Sequence, residues 1–246
     1  GQKLSGVSPC GERAFVIFPC AISELIKDKA EKEKIRQSIF SELRKAGVTV
    51  MTRNDWGAKN APGTDGGDWD YSAIVLHHAG NSFSCDDDET NKLRDLEKTD
   101  IKRYKHISYH YAIDCTGTIY ETLDIREKGA HLKGANSGKI GIVFLSDFSY
   151  VGEGNIHGPS KYESLSEFGG QFKDSFDFTI DKPTHSQNKS IDVLVRVLLN
   201  FFDIKQLGGH REFAILNGFK RACPGVYGLN IANRLRREFN LLKPIN

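Results

Sequence analysis

The chain has 246 residues, 39% of them hydrophobic, and its 34 Lys and Arg against 32 Asp and Glu leave a net charge of +2. That length holds one large domain, or a domain of about 150 to 200 residues with an appendage, around a real core. The small net charge supplies no global field for nucleic acid or an anionic membrane, and no stretch approaches the roughly 18 consecutive apolar residues of a membrane span, so recognition must come from a local site.

The chain opens with Gly1-Gln2-Lys3, without the charged start and apolar core of a signal peptide, so an exported form is expected to have lost its signal. Residues 1 to about 48 differ from the rest. A short apolar segment, Ala14-Phe15-Val16-Ile17-Phe18, leads into a charged stretch from about Ile22 to Ala46. There Leu25, Ile26, Ile35, Ile39 and Leu43 recur at roughly helical spacing, and Gly47 supplies a stop. Charges crowd from Asp28 to Lys34, which predicts one bent helix or two. No chemical motif falls here, and residues 1–48 read as a mostly helical appendage ahead of a domain at 49–246.

From Val48 onward strands and helices alternate. Ala73 to His77 is a short apolar strand suited to the middle of a sheet, and Asp88 to Lys105 reads as a polar helix. Ser108 to Ile113 predicts a strand, Asp114-Cys115-Thr116-Gly117 a turn, and Thr118 to Glu121 the second half of a hairpin. Lys139 to Leu145 is another buried strand. The Gly-, Ser- and Asp-rich segment from Ser146 to about Phe178 reads as a long surface loop or insertion, near 146–178. Thr184-His185-Ser186-Gln187 after Pro183 forms a capping box, and the helix it opens carries Ile191, Leu194, Val195, Leu198 and Phe202 on one face. A last helix runs from about Leu229 to Phe239. The expected class is α/β, a mixed central β-sheet flanked by α-helices, with the N-terminal appendage.

Three residues carry chemistry. His77 closes the run Ile74-Val75-Leu76-His77-His78, His210 follows Leu207-Gly208-Gly209, and Cys223 sits in Arg221-Ala222-Cys223-Pro224-Gly225. A lone histidine at a strand end is more often a core or surface residue than a ligand. Here three donors each occupy a firmly held backbone position, and they are far apart in sequence, which suits a site assembled by the fold. Two imidazoles and a thiolate leave a fourth tetrahedral position open, the arrangement of catalytic rather than structural zinc.

The ordered set Trp56-Gly57-Ala58, Ile74 to Asn81, Ser108-Tyr109-His110-Tyr111, Gly129-Ala130-His131, Ile140-Gly141-Ile142, Gly209-His210-Arg211 and Cys223-Pro224-Gly225 resembles the zinc-dependent N-acetylmuramoyl-L-alanine amidases, the group that includes phage T7-type lysozyme and the peptidoglycan recognition proteins. The resemblance covers roughly residues 50 to 240. It implies a sheet with helices on both sides, a peptidoglycan groove with zinc at its floor, and His77, His210 and Cys223 as ligands, with His78 the rival for the first position. It also implies that Tyr109 is the catalytic tyrosine, orienting water and donating to a developing oxyanion. His131 and Asn136 fall at positions lining the groove: His131 would bind substrate or assist the departing group, Asn136 would hold the turn or bond the peptide stem, and a purely structural role is the alternative for each.

Two departures stand out. Arg221 occupies a place where relatives often carry lysine or threonine; it offers a permanent charge to the tetrahedral intermediate but no proton near neutral pH, with Lys220 a neighbouring substitute. The thirteen positions from His210 to Cys223 exceed the compact family spacing, which predicts an extra loop from Glu212 to Phe219 at the groove's edge. Cys10, Cys20, Cys85 and Cys115 remain for up to two disulfides, in any of three pairings. Cys10 with Cys20 is the nearest pair, the local partner that the recognition proteins give a cysteine near Cys85 is absent, and reduced cysteines in a cytosolic protein are the alternative.

The activity implied is hydrolysis of the bond between N-acetylmuramic acid and the L-alanine of the stem peptide, by a secreted or periplasmic protein acting on peptidoglycan or muropeptides. A non-catalytic receptor on the same fold is the rival, although such relatives typically lack one ligand, often with serine in the cysteine's place. The appendage and the insertion at 146–178 would also suit an antibacterial toxin with a delivery or tethering partner at residues 1–48, while an autolysin or phage endolysin would fit the chemistry equally well.

Overall fold

The computed structural model describes residues 17–59, 67–80, 85, 89–104, 107–150, 152–158 and 181–245. The chain divides into two compact units, Gly1–Ser38 and Ile39–Asn246. Among the described residues no helix is long and apolar enough to cross a membrane.

Helix α1 runs unbroken over Ile17–Lys45. The crowded charges do not split it, because they pair along its surface: Lys32 with Asp28 at 2.9 Å and Arg36 with Glu33 at 3.0 Å. It stops where the spacing predicts. Gly47 takes φ +77°, and the Val48 N–H turns back to the Leu43 carbonyl at 3.2 Å.

The larger unit is built on a six-stranded mixed sheet. Its strands are β1 (Val50–Met51), β2 (Ala73–His78), β3 (Tyr111–Ile113), β4 (Ile119–Glu121), β5 (Lys139–Phe144) and β6 (Gln206–Gly209), in the order β1-β4-β3-β5-β2-β6. Among these six strands the β3–β4 hairpin is antiparallel and the other pairings are parallel. The hairpin turn is organised by Asp114, whose Oδ1 accepts from the backbone N–H of Thr116 and Thr118, both at 2.9 Å. All six residues of β2 are buried, as expected of an apolar strand with a parallel neighbour on each side.

The helices are α2 (Glu89–Tyr104), α3 (Glu153–His157), α4 (His185–Phe201), α5 (His210–Leu216) and α6 (Gly225–Phe239). Thr184 caps α4 through the expected box: its hydroxyl accepts from the Gln187 N–H, and the Gln187 side chain accepts from the Thr184 N–H, each at 3.0 Å. Ile191, Leu194, Val195 and Leu198 are buried along this helix. Trp56 is also buried and donates from its indole to the Glu121 carbonyl at 2.7 Å.

Cys85 is joined to Cys115 across 30 residues. The expected Cys10–Cys20 pair lies outside the described side chains, and so does most of the insertion expected at 146–178. Where a loop was expected from Glu212 to Phe219, the structure has the end of α5 and then a turn. The reason is local: Phe213 and Ala214 are buried, and the Glu212 carboxylate caps the helix by accepting from the Gly209 N–H at 2.9 Å.

Candidate functional site

The site forms at the carboxyl ends of the parallel strands, where open α/β sheets collect ligands. In the β2–β6 register Leu76 stands opposite Gly209, so the next residues along each chain, His77 and His210, emerge side by side. Their ring centroids are 4.7 Å apart. Cys223 reaches them because Gly209 has no side chain; a Cβ there would stand 2.6 Å from Cδ of Pro224. The Arg211 N–H then holds the Cys223 carbonyl at 2.8 Å.

One donor atom from each of His77, His210 and Cys223 lies within 4.8 Å of the others, and all three residues are buried. Zinc–nitrogen and zinc–sulfur bonds of about 2.05 and 2.3 Å, meeting at a tetrahedral angle, place nitrogen and sulfur about 3.6 Å apart. Cys223 Sγ lies 3.6 Å from His77 Nδ1. The donor set therefore fits a zinc ion in its chemistry, and the Cys223–His77 pair fits it in span.

His78 faces the opposite way, as alternation along a strand requires. Its Nδ1 accepts from the Phe148 N–H at 3.0 Å, and Asp147 lies 3.6 Å from the same nitrogen. Burial, with smaller contributions from the neighbouring His210 and the Arg211 guanidinium, lowers its pKa to about 3 and keeps the ring neutral. The structure thus groups His77, not His78, with the other two donors.

Tyr109 is wholly buried, its ring 4.9 Å from that of His77 and stacked on His131 at 6.4 Å. His131, only 4% exposed, places Nδ1 3.1 Å from His77 Nε2. Asn136 is turned to the backbone: its Oδ1 accepts from the N–H groups of His131 and Leu132 at 2.9 and 2.7 Å. Arg221 is half-buried and shares a cleft with His210, Leu132, Lys133, Asn217 and Phe219; Lys220 is exposed and does not line it.

A brace behind Cys223 has no signal in the sequence. Arg211 donates to the Ala222 carbonyl at 2.7 Å and to the Arg221 carbonyl at 3.2 Å, and forms an ion pair with Glu153. Glu153, on α3, also accepts from the N–H groups of Tyr150 and Val226 at 3.0 and 3.2 Å. One buried carboxylate therefore joins three stretches of chain around the cysteine.

The sequence profile of a family described as N-acetylmuramoyl-L-alanine amidase matches residues 68–226. Peptidoglycan-recognition protein SD of Drosophila simulans is 33% identical over 107 residues, 41% of this chain and 56% of the relative. The chain spans about half the length of the curated relatives it matches. Among solved structures, the endolysin N-acetylmuramoyl-L-alanine amidase LysCS of Clostridium intestinale URNW is similar with a TM-score of 0.52 at 18% identity, covering 79% of this chain and 97% of that one. Human PGRP-IBETAC, solved in complex with glycosamyl muramyl pentapeptide, has a TM-score of 0.54 at 18% identity, with 74% and 93% covered. At these identities the likeness to solved structures is one of fold.

Proposed function

The chain belongs to the N-acetylmuramoyl-L-alanine amidase family, and we propose that it is a zinc-dependent enzyme cutting the amide between the lactyl group of N-acetylmuramic acid and the L-alanine of the stem peptide. One observation carries this reading: the two imidazoles and the thiol of His77, His210 and Cys223 converge within 4.8 Å. Such a set would hold the ion with one coordination position left to solvent or substrate.

When bound, zinc supplies Lewis acidity: it brings the pKa of water toward neutrality and polarises a carbonyl. Around it Tyr109, packed beside His77, offers its phenol as a hydrogen-bond donor to the negative charge that develops on the scissile carbonyl oxygen. Arg221, in the cleft that His210 also lines, contributes a fixed positive charge and binds rather than transfers protons. Buried walls around the ligands exclude bulk water, which strengthens both effects.

Peptidoglycan or a muropeptide is the substrate that the family and the pentapeptide complex of the human structural neighbour support. The Cys85–Cys115 disulfide supports an oxidising location, secreted or periplasmic. Residues 49–246 would form the amidase domain and 1–48 an appendage to it. The rival reading, a receptor that binds without cutting, draws on the recognition proteins among the relatives, but the buried thiol turned toward His77 favours the enzyme.

The test is incubation of the purified chain with muropeptides, with and without a chelator, and mass analysis of the products. Release of free stem peptide from the lactyl sugar only when metal is present is the expected result. Binding with no cleavage under any metal condition would assign the receptor role instead.

A further inference from the structure

We propose that His131 is a positioning residue that sets which nitrogen of His77 faces the metal; the inference rests on the zinc reading above. Hydrogen-bond polarity sets the tautomer of each ring. His131 Nε2 lies 3.3 Å from the Lys139 carbonyl oxygen, which only accepts, so that nitrogen carries the proton. A neutral imidazole has one N–H, and its Nδ1 is then an acceptor. His131 Nδ1 is 3.1 Å from His77 Nε2, so His77 donates from Nε2. The remaining nitrogen of His77, Nδ1, keeps its lone pair on the side facing Cys223 Sγ, 3.6 Å away. Two imidazoles in series thus transmit the polarity of one strand carbonyl to the metal position.

The surroundings of His131 are shaped for this. A Cβ on Gly129 would stand 2.6 Å from His131 Cδ2, and a Cβ on Gly141 would stand 2.6 Å from the same atom and 2.8 Å from Cγ. Side chains at either place would displace the ring, so the two glycines form a slot that fits an imidazole edge-on. Asn136 pins the backbone of the same residue through the His131 N–H at 2.9 Å. Ring, backbone and both ring nitrogens are all fixed, which is more than a groove-lining contact to substrate requires. Partners of this kind tune metal affinity by about 10- to 100-fold.

The direct test uses the unaltered chain. Nitrogen-15 NMR of the histidine rings in the metal-free protein is expected to show His77 and His131 both as Nε2–H tautomers, and an Nδ1–H tautomer at His77 would overturn the proposal. His131→Phe, which fills the slot without an acceptor, is expected to weaken zinc binding about 10- to 100-fold in competition with a chromophoric chelator and to shift the absorption bands of the cobalt-substituted protein. His131→Asn, whose amide oxygen falls near the place of Nδ1, is expected to recover part of that loss. Wild-type zinc affinity and cobalt spectrum in a folded His131→Phe would refute the positioning role alone. Failure of the unaltered chain to bind zinc at all would instead remove the zinc reading.

Discussion

Glu153→Gln tests how the fold holds Cys223 in place. Glu153 has 0% side-chain exposure and Arg211 12%, so the ion pair between them is screened little by solvent. The carboxylate accepts from Arg211 with one oxygen and from Tyr150 and Val226 with the other. Glutamine has the same shape but one oxygen. If that oxygen stays with the two backbone N–H groups, its NH2 faces the guanidinium, donor against donor. Leaving a buried charge without its counter-ion costs about 3–5 kcal/mol. For a unit of this size each kcal/mol moves the melting temperature by about 2–4 °C, so a fall of roughly 6–20 °C is expected in a thermal melt. Zinc affinity should fall with it, because Arg211 holds the carbonyls of Arg221 and Ala222 just before the cysteine. Replacing both residues by methionine should recover part of the stability, since an apolar pair leaves no orphaned charge but still removes the hydrogen bonds to Tyr150, Val226, Arg221 and Ala222. A fall in melting temperature under about 2 °C for Glu153→Gln would refute the claim that this pair braces the loop.

Three further outcomes follow from the same geometry. Tyr109→Phe is expected to keep zinc, read by metal analysis, while lowering kcat by about 100-fold or more, the scale of losing one oxyanion donor; unchanged kcat would remove the tyrosine from the chemistry. Gly209→Ala forces a methyl to within 2.6 Å of Pro224 and is expected to cost about 1–3 kcal/mol in urea unfolding, with weaker zinc binding. Replacing Cys85 and Cys115 together by serine opens a 30-residue loop and is expected to cost about 3–4 kcal/mol on the loop-entropy estimate, against little change in the same protein under reducing conditions.

The central strand, the capped helix and the grouping of the three candidate donors were legible because each is written in a few neighbouring residues. Ala73 to His78 is apolar enough to be buried on both faces, Thr184 and Gln187 form a cap visible at a spacing of three, and His210 and Cys223 are marked by the glycines and proline beside them. The sequence favours His77 over His78 only by the pattern of the residues that follow, Ala79 and Gly80. The choice depends on which face of β2 meets β6 and α5, a property of register rather than of local pattern. The Arg211–Glu153 pair was invisible for the same reason, its partners lying 58 residues apart with Glu153 in a stretch that reads as loop. The link from His131 to His77 spans 54 residues, and the slot that holds it is made by two glycines whose meaning is steric. The helix that replaced the expected loop before Cys223 forms because Phe213 and Ala214 find a core to enter, which the short segment does not announce.

Zinc-edge X-ray absorption on the purified chain addresses the metal centre directly. A three-donor centre at His77, His210 and Cys223 requires one zinc per chain with a single sulfur neighbour at about 2.3 Å and two imidazole nitrogens at about 2.0 Å, the sulfur shell vanishing in Cys223→Ser. A zinc shell with no sulfur in the unaltered chain, or no bound zinc at all, would contradict it.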